Sequence, residues 1–113
     1  AIDYYEQALA IRREIGDRRG EGADLGNLGN AYKNLGQVER AIDYYEQALA
    51  IRREIGDRWG EGADLNNLGL AYADLGQTER AREHLQQALN IFEEIKSPYA
   101  DRARRSLKQL DAQ

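Results

Sequence analysis

The sequence predicts an all-α chain, an α-solenoid of antiparallel helix pairs with six helices, the last of them a cap. Three observations carry this. Residues 1–40 and 41–80 align without a gap, and only six pairs differ. A fixed period of this size marks a repeat architecture, in which each unit buries its apolar face against the next. Within each copy, apolar residues recur at steps of three and four, which return to one side of a helix. Gly16 and Gly36, and their counterparts Gly56 and Gly76, follow these runs, as glycine does just past a helix end.

The first helix is expected from Ala1 to Ile15, with Ile2, Tyr5, Ala8 and Leu9 as its apolar side. Arg12 and Arg13 near its end suit the negative pole of the helix dipole. Gly16 stops it and Asp17 caps the next helix. That second helix runs from Arg18 to Leu35, its first turn loosened by Gly20 and Gly22. Leu25, Leu28, Tyr32 and Leu35 share one face, and Gly29 and Ala31 beside them leave room for another helix to come close. The third helix, Val38 to Ile55, repeats the first. The fourth ends at Leu75. The fifth, Thr78 to Ile95, keeps Ala81, Leu85, Ala88, Leu89, Ile91 and Ile95 but loses the paired tyrosines. Tyr4-Tyr5 and Tyr44-Tyr45 favour strands locally, but they sit inside helical periodicity, which decides.

Then the pattern changes. Lys96-Ser97-Pro98 replaces Gly-Asp-Arg. Ser97 is a good cap and Pro98 suits a first helical position. The last helix is expected over about 98–111, with Tyr99, Ala103, Leu107 and Leu110 on one face and Arg102, Arg104, Arg105 and Lys108 on the rest. A charged outer face of this kind closes a stack that would otherwise end in exposed apolar surface. The expected organisation is one domain over 1–113: a half repeat 1–16, repeats 17–56 and 57–96, and a cap 97–113.

Composition narrows the function. The 113 residues include no cysteine and one histidine, His84. Disulfides, thiolate metal sites and multi-histidine sites are excluded. The formal charge is -4 with acids and bases interleaved, which disfavours nucleic acid, since counterion release needs a basic surface. No apolar run approaches the roughly 18 residues of a membrane span. Neither a cofactor nor a metal is expected, and the expected compartment is the cytoplasm. The chain opens without Met, inside a repeat, and reads as a piece of a longer array or a designed sequence.

Leu28, Gly29, Tyr32, Gly36, Ala41, Tyr45 and Ala48 resemble the tetratricopeptide repeat signature in order and spacing, and Leu68, Gly69, Tyr72, Gly76, Ala81, Leu85 and Ala88 match it again. Ala1, Tyr5 and Ala8 match its second half. The usual repeat is shorter, and a helix-ending proline normally falls where Arg53 sits. The longer helices and the IGDR-x-GEGA connector resemble repeats of cell-polarity adaptors, kinesin light chains and bacterial signalling proteins with nucleotide-switch domains. The resemblance implies a protein-binding scaffold with its ligand in a concave groove, and no enzyme activity.

The differing pairs are Arg19/Trp59, Gly26/Asn66, Asn30/Leu70, Lys33/Ala73, Asn34/Asp74 and Val38/Thr78. Positions 19, 26, 30 and 33 form one stripe opposite the Leu25, Leu28, Tyr32, Leu35 face, with 34 beside it. By the resemblance, that stripe faces the groove. The expected peptide-binding residues are Arg19, Asn27, Asn30, Lys33, Asn34, Trp59, Asn66, Asn67, Leu70 and Asp74. Asparagine amides both donate and accept, so a ladder of them can pair with an extended peptide backbone. Asn27 and Asn67, unchanged between copies, also fit a role satisfying neighbouring helices, and Trp59 equally fits a gap at a helix junction. Arg19 and Lys33 are basic while Trp59, Leu70 and Ala73 are apolar, an order that suits an acidic residue followed by an apolar anchor. Some relatives hold a C-terminal carboxylate with lysines; Gly26 and Asn66 stand where such clamps are expected, and only Lys33 with Asn30 leaves a weaker version open.

No catalytic constellation emerges. Glu21 with Asp24, and Glu61 with Asp64, are acids at a helix start, where the dipole favours them. The GEG segments lack the strand and spacing of a phosphate loop. His84 reads as a surface residue, and the basic residues of the last helix as a solvated face. The rival to peptide binding is a structural or self-assembling scaffold without a dedicated ligand, in which Ile2, Tyr5 and Leu9, lacking a preceding helix, drive self-association.

Overall fold

A computed structural model describes residues 1–112. Among them lie α1 (Ile2–Ile15), α2 (Arg18–Asn34), α3 (Val38–Ile55), α4 (Arg58–Asp74), α5 (Thr78–Glu94) and α6 (Ala100–Asp111), with no strand. The fold class expected from the 40-residue period is therefore observed. The helices group into two compact units, Ala1–Asp57 with α1 to α3 and Arg58–Gln113 with α4 to α6.

In the first unit α2 packs against both α1 and α3. Its expected core face is buried at Leu25, Leu28 and Tyr32. Leu35 is an exception, 60% exposed. It is the C-cap of α2, so it lies past the last turn that the helix presents to its neighbours. The close approach predicted at Gly29 is real: a Cβ there would sit 2.6 Å from the Tyr45 ring of α3. Tyr45 is fully buried, and its hydroxyl donates to Asn30 Oδ1 at 2.5 Å. Below it Tyr32 and Tyr44 stack in parallel, centroids 5.3 Å apart.

The turn chemistry is as expected. Gly16 and Gly56 end α1 and α3 in the left-handed conformation, with φ of 74° and 73°. Asp17 caps α2, its Oδ1 accepting from Gly20 N at 2.9 Å. The acids after this cap, expected as partners of the helix dipole, also pair with arginines. Glu21 and Asp24 are buried. Arg13 Nε and Arg18 Nη1 donate to Glu21 at 3.1 and 2.8 Å, and Arg12 Nε donates to Asp24 at 3.4 Å. The arginines at the end of α1 thus pair with carboxylates on α2 rather than only with the dipole of their own helix.

Burial alone would push the Glu21 carboxyl up, but the hydrogen bonds from Arg13 and Arg18 outweigh it and hold it below the ordinary carboxylate range. The sign of the pH dependence follows. A folded value below the unfolded one contributes stability that is complete above the unfolded value and is lost as pH falls through the folded one. Urea melts from neutral pH down through the carboxylate range should show stability falling on acidification. Glu21→Gln should flatten that acid limb while lowering stability at neutral pH.

In the second unit α5 packs on α4 and on α6. A Cβ at Gly69 would meet Leu85 at 2.6 Å, and one at Gly62 would meet the Phe92 ring at 2.8 Å. Leu85 therefore occupies the slot that Tyr45 fills in the first unit. His84 is half-buried rather than a free surface residue. Its ring lies 5.0 Å from that of Tyr72, and its Nδ1 is 2.7 Å from the Arg80 carbonyl, to which it donates. It replaces Tyr44 in a ring contact, a packing role.

The last helix starts later than Pro98. Lys96 adopts φ 56° where the earlier copies have Gly16 and Gly56. Ser97 Oγ accepts from Tyr99 N at 3.2 Å, which caps a turn at 97–99, and α6 begins at Ala100. Ala103 and Leu110 are buried as expected, Leu107 is half-buried, and Tyr99 stays 36% exposed. α5 ends at Glu94, leaving Ile95 as its C-cap.

Candidate functional site

The predicted stripe is open along most of its length in the first unit. Arg19, Asn27, Asn30 and Asn34 are exposed and Lys33 is half-buried, while Gly26 is buried. Arg19 and Asn30 already have partners within the unit. Arg19 Nη1 lies 3.5 Å from Asp57, so its charge is shared with a carboxylate. Asn30 Oδ1 accepts from Tyr45. A contact that satisfies a neighbouring helix is made here by Asn30, with the Tyr45 hydroxyl of α3.

In the second unit Asp74 is exposed, Leu70 and Asn67 are half-buried, and Trp59 is 48% exposed. Three of the predicted residues converge. Trp59, Asn66 and Asn67, with Ala63, form the α4 side of a pocket of about 190 Å³ completed by Phe92, Tyr99 and Arg102. Trp59 and Tyr99 meet edge to face, centroids 5.6 Å apart at 70°. Phe92 and Tyr99 lie 5.8 Å apart. The Arg102 guanidinium sits 4.7 Å from the Tyr99 ring centroid, a cation–π contact.

One residue of this pocket's lining carries an unsatisfied atom. Asn66 Oδ1 is buried and accepts no hydrogen bond. A buried unsatisfied acceptor costs about 1–3 kcal/mol, and such atoms are rare enough to demand a reason. The first copy avoids that cost by having Gly26 at the same place. Leu70 and Asp74 are not part of the pocket.

Tyr99, Arg102 and Phe92 were not foreseen as site residues, Tyr99 having been placed with the core and Arg102 with the solvated face. Carrying the 40-residue register one copy further would have found two of them. Tyr99 then follows Arg19 and Trp59, and Arg102 falls where Gly22 and Gly62 stand. A larger cavity of about 560 Å³ lies against α1 and α3, lined by Glu6, Arg13, Arg40, Asp43 and Gln47 among others. There Arg40 stacks on Tyr32 at 4.7 Å and Tyr32 donates to Glu6 at 3.3 Å. Its arginines have partners within the chain, Arg13 with Glu21 and Arg40 with Tyr32 and Gln37, so it reads as a solvated crevice.

Among the described residues no cluster of three or more His, Cys, Asp or Glu side chains could hold a metal, and no helix is long and apolar enough to cross a membrane. Repeated helix pairs carrying an exposed variable stripe define the class of helical-repeat interaction proteins. The sequence matches the tetratricopeptide repeat family over residues 1–54 and 25–94, and the chain belongs to that family. Its repeats generally mediate protein–protein interaction and are typically non-catalytic.

Over 41 residues the chain is 46% identical to human G-protein-signaling modulator 1, a match covering 36% of this chain and 6% of that protein. The apo form of RapI superposes with a TM-score of 0.93 at 24% identity, over 98% of this chain and 41% of RapI. A Podosopora anserina protein with nearly identical TPR-like repeats gives 0.81 at 25% identity, over 96% of this chain and 55% of that one. The chain thus spans only a fraction of the proteins it matches, and the solved structures speak for its fold alone.

Proposed function

We propose that this chain is a non-catalytic module that binds an extended peptide or partner protein through the stripe that α2 carries in the first unit and α4 repeats in the second. One observation carries the reading. The two copies agree on core, caps and, apart from Val38/Thr78, outer helices, and five of their six differences fall at 19, 26, 30, 33 and 34 with their counterparts. Drift on solvated surface would have marked α1 and α3 equally. Most of these varied side chains are exposed or half-buried, so they are available for contact. Arg19, Asn27, Lys33 and Asn34 offer polar contacts on α2, and Trp59, Asn66, Asn67, Leu70 and Asp74 do so with added apolar surface on α4.

A second reading has its own observation. Tyr4, Ile11 and Ile15 of α1 are 70%, 56% and 67% exposed, although the counterparts of Ile11, Ile51 and Ile91, are only 4% and 6% exposed. The open apolar residues of α1 are these rather than Ile2, Tyr5 and Leu9, of which Leu9 is buried and the others half-buried. Self-association through this face is the structural alternative. A peptide-array screen with the whole chain separates the two. Asn27→Ala and Asn34→Ala should each weaken a selected peptide by about twofold to tenfold, the worth of one hydrogen bond. Ile11→Arg should leave that binding unchanged. An empty array together with a dimer in light scattering that Ile11→Arg dissolves would establish the scaffold reading instead.

A further inference from the structure

We infer that the pocket of the second unit anchors a peptide segment in which an aliphatic side chain is followed by a carboxylate. This rests on the interaction reading above and adds the ligand's chemistry. Size comes first. About 190 Å³ is below the roughly 300–1,000 Å³ of small-molecule sites, so the pocket takes one side chain rather than a cofactor. Its walls are aromatic: Trp59 and Tyr99 meet edge to face at 70°, and the buried Phe92 lies against Tyr99. Such walls favour an apolar group.

The polar groups then fix what accompanies that group. Asn66 lines the pocket with its Oδ1 enclosed and unpartnered; a turn of its amide toward the opening lets that oxygen accept from a peptide backbone N–H, the donor next to any inserted side chain. Arg102 makes no ion pair among the described residues; its guanidinium is held on Tyr99. Arg58 and Arg104 are already engaged, the first with Glu61 and Glu94 and the second with Asp101 and Glu93. Of Arg19 and Lys33, the cations expected from sequence to receive an acidic residue, Arg19 is paired with Asp57 and Lys33 also has an interaction within the chain. The anion-binding role therefore moves to Arg102, at the rim of the apolar slot. N–H to Asn66, side chain between Trp59 and Phe92, carboxylate to Arg102: one Leu-Asp step supplies all three.

The test is a titration of the isotope-labelled full chain, followed by two-dimensional NMR, with the blocked tetrapeptide acetyl-Gly-Leu-Asp-Gly-amide at about millimolar concentration. Trp59 is the single tryptophan, so its indole N–H is one assignable signal. That signal and the Asn66 side-chain amide should shift saturably. Replacing Asp of the probe by Asn, or Arg102→Gln in the protein, should each weaken binding about threefold to tenfold. Asn66→Ala should weaken it comparably while raising the melting temperature, since the orphan acceptor is gone; a merely structural Asn66 would lower it. No shift at Trp59, or equal affinity for the Asp and Asn probes, overturns the proposal. Shifts confined to Asn27, Asn30 and Asn34 overturn the anchor but leave the interaction module standing, whereas an empty peptide array removes the module itself.

Discussion

Tyr45→Ala should destabilise the chain by about 3–5 kcal/mol, the usual range for truncating a fully buried aromatic side chain. Tyr45 is 0% exposed and lies directly over Gly29, with no Cβ between its ring and the α2 backbone. Alanine would leave a void that the helices cannot fill without moving. It would also strip the donor from Asn30 Oδ1, a smaller loss because Asn30 is exposed and water can replace it. Two milder variants separate these parts. Tyr45→Phe removes the hydroxyl alone and should cost about 0.5–1.5 kcal/mol. Tyr45→Leu should fall between Phe and Ala, because Leu85 fills the equivalent slot over Gly69 in the second unit. Urea melts followed by far-ultraviolet circular dichroism measure all three; Trp59 fluorescence alone would not, since that reporter belongs to the other unit. If Tyr45→Ala melted within about 1 kcal/mol of the parent, the α2–α3 contact would not be the tightly packed one described.

The same contact shows why much of the fold was readable. Gly29, Tyr45 and their counterparts recur at one spacing, so the sequence itself marked where two helices come together. Glycines at 16, 36, 56 and 76 marked the turns, because only a residue without a Cβ adopts their positive φ at little cost. Periodicity does not register where a helix stops, and so Leu35 was counted as core although it lies past the last turn. Nor does it register pairing between helices. Arg13 and Glu21 are eight residues apart across a turn, and nothing in the spacing of either helix brings them together. The site divides in the same way. The stripe was visible as a difference between copies. Asn66's missing partner was not, because an unsatisfied atom is a property of its surroundings. Tyr99 and Arg102 escaped because the last helix keeps the register but not the composition of the earlier ones.

Gly29→Leu should be nearly as damaging as Tyr45→Ala, by about 3 kcal/mol, through the opposite defect. Its Cβ alone would fall 2.6 Å from two atoms of a ring that is itself fully buried. The ring cannot swing aside as the end of a flexible chain would, so α2 and α3 must separate. Leucine is a better helix former than glycine by under about 1 kcal/mol, which offsets only part of that cost. The decisive measurement is the double variant. If Gly29→Leu hurts because of Tyr45, adding Tyr45→Ala opens the space that the leucine needs. The pair should then be less destabilised than the sum of the singles by about 1–3 kcal/mol. Gly36→Ala supplies the contrast. A Cβ at Gly36 meets nothing within 4 Å, but φ is +78°, so its penalty of about 1–2 kcal/mol comes from backbone strain. It should add to Tyr45→Ala without coupling. Two glycines in one repeat would then be distinguished by mechanism: one retained for what stands opposite it, the other for the direction in which it turns the chain.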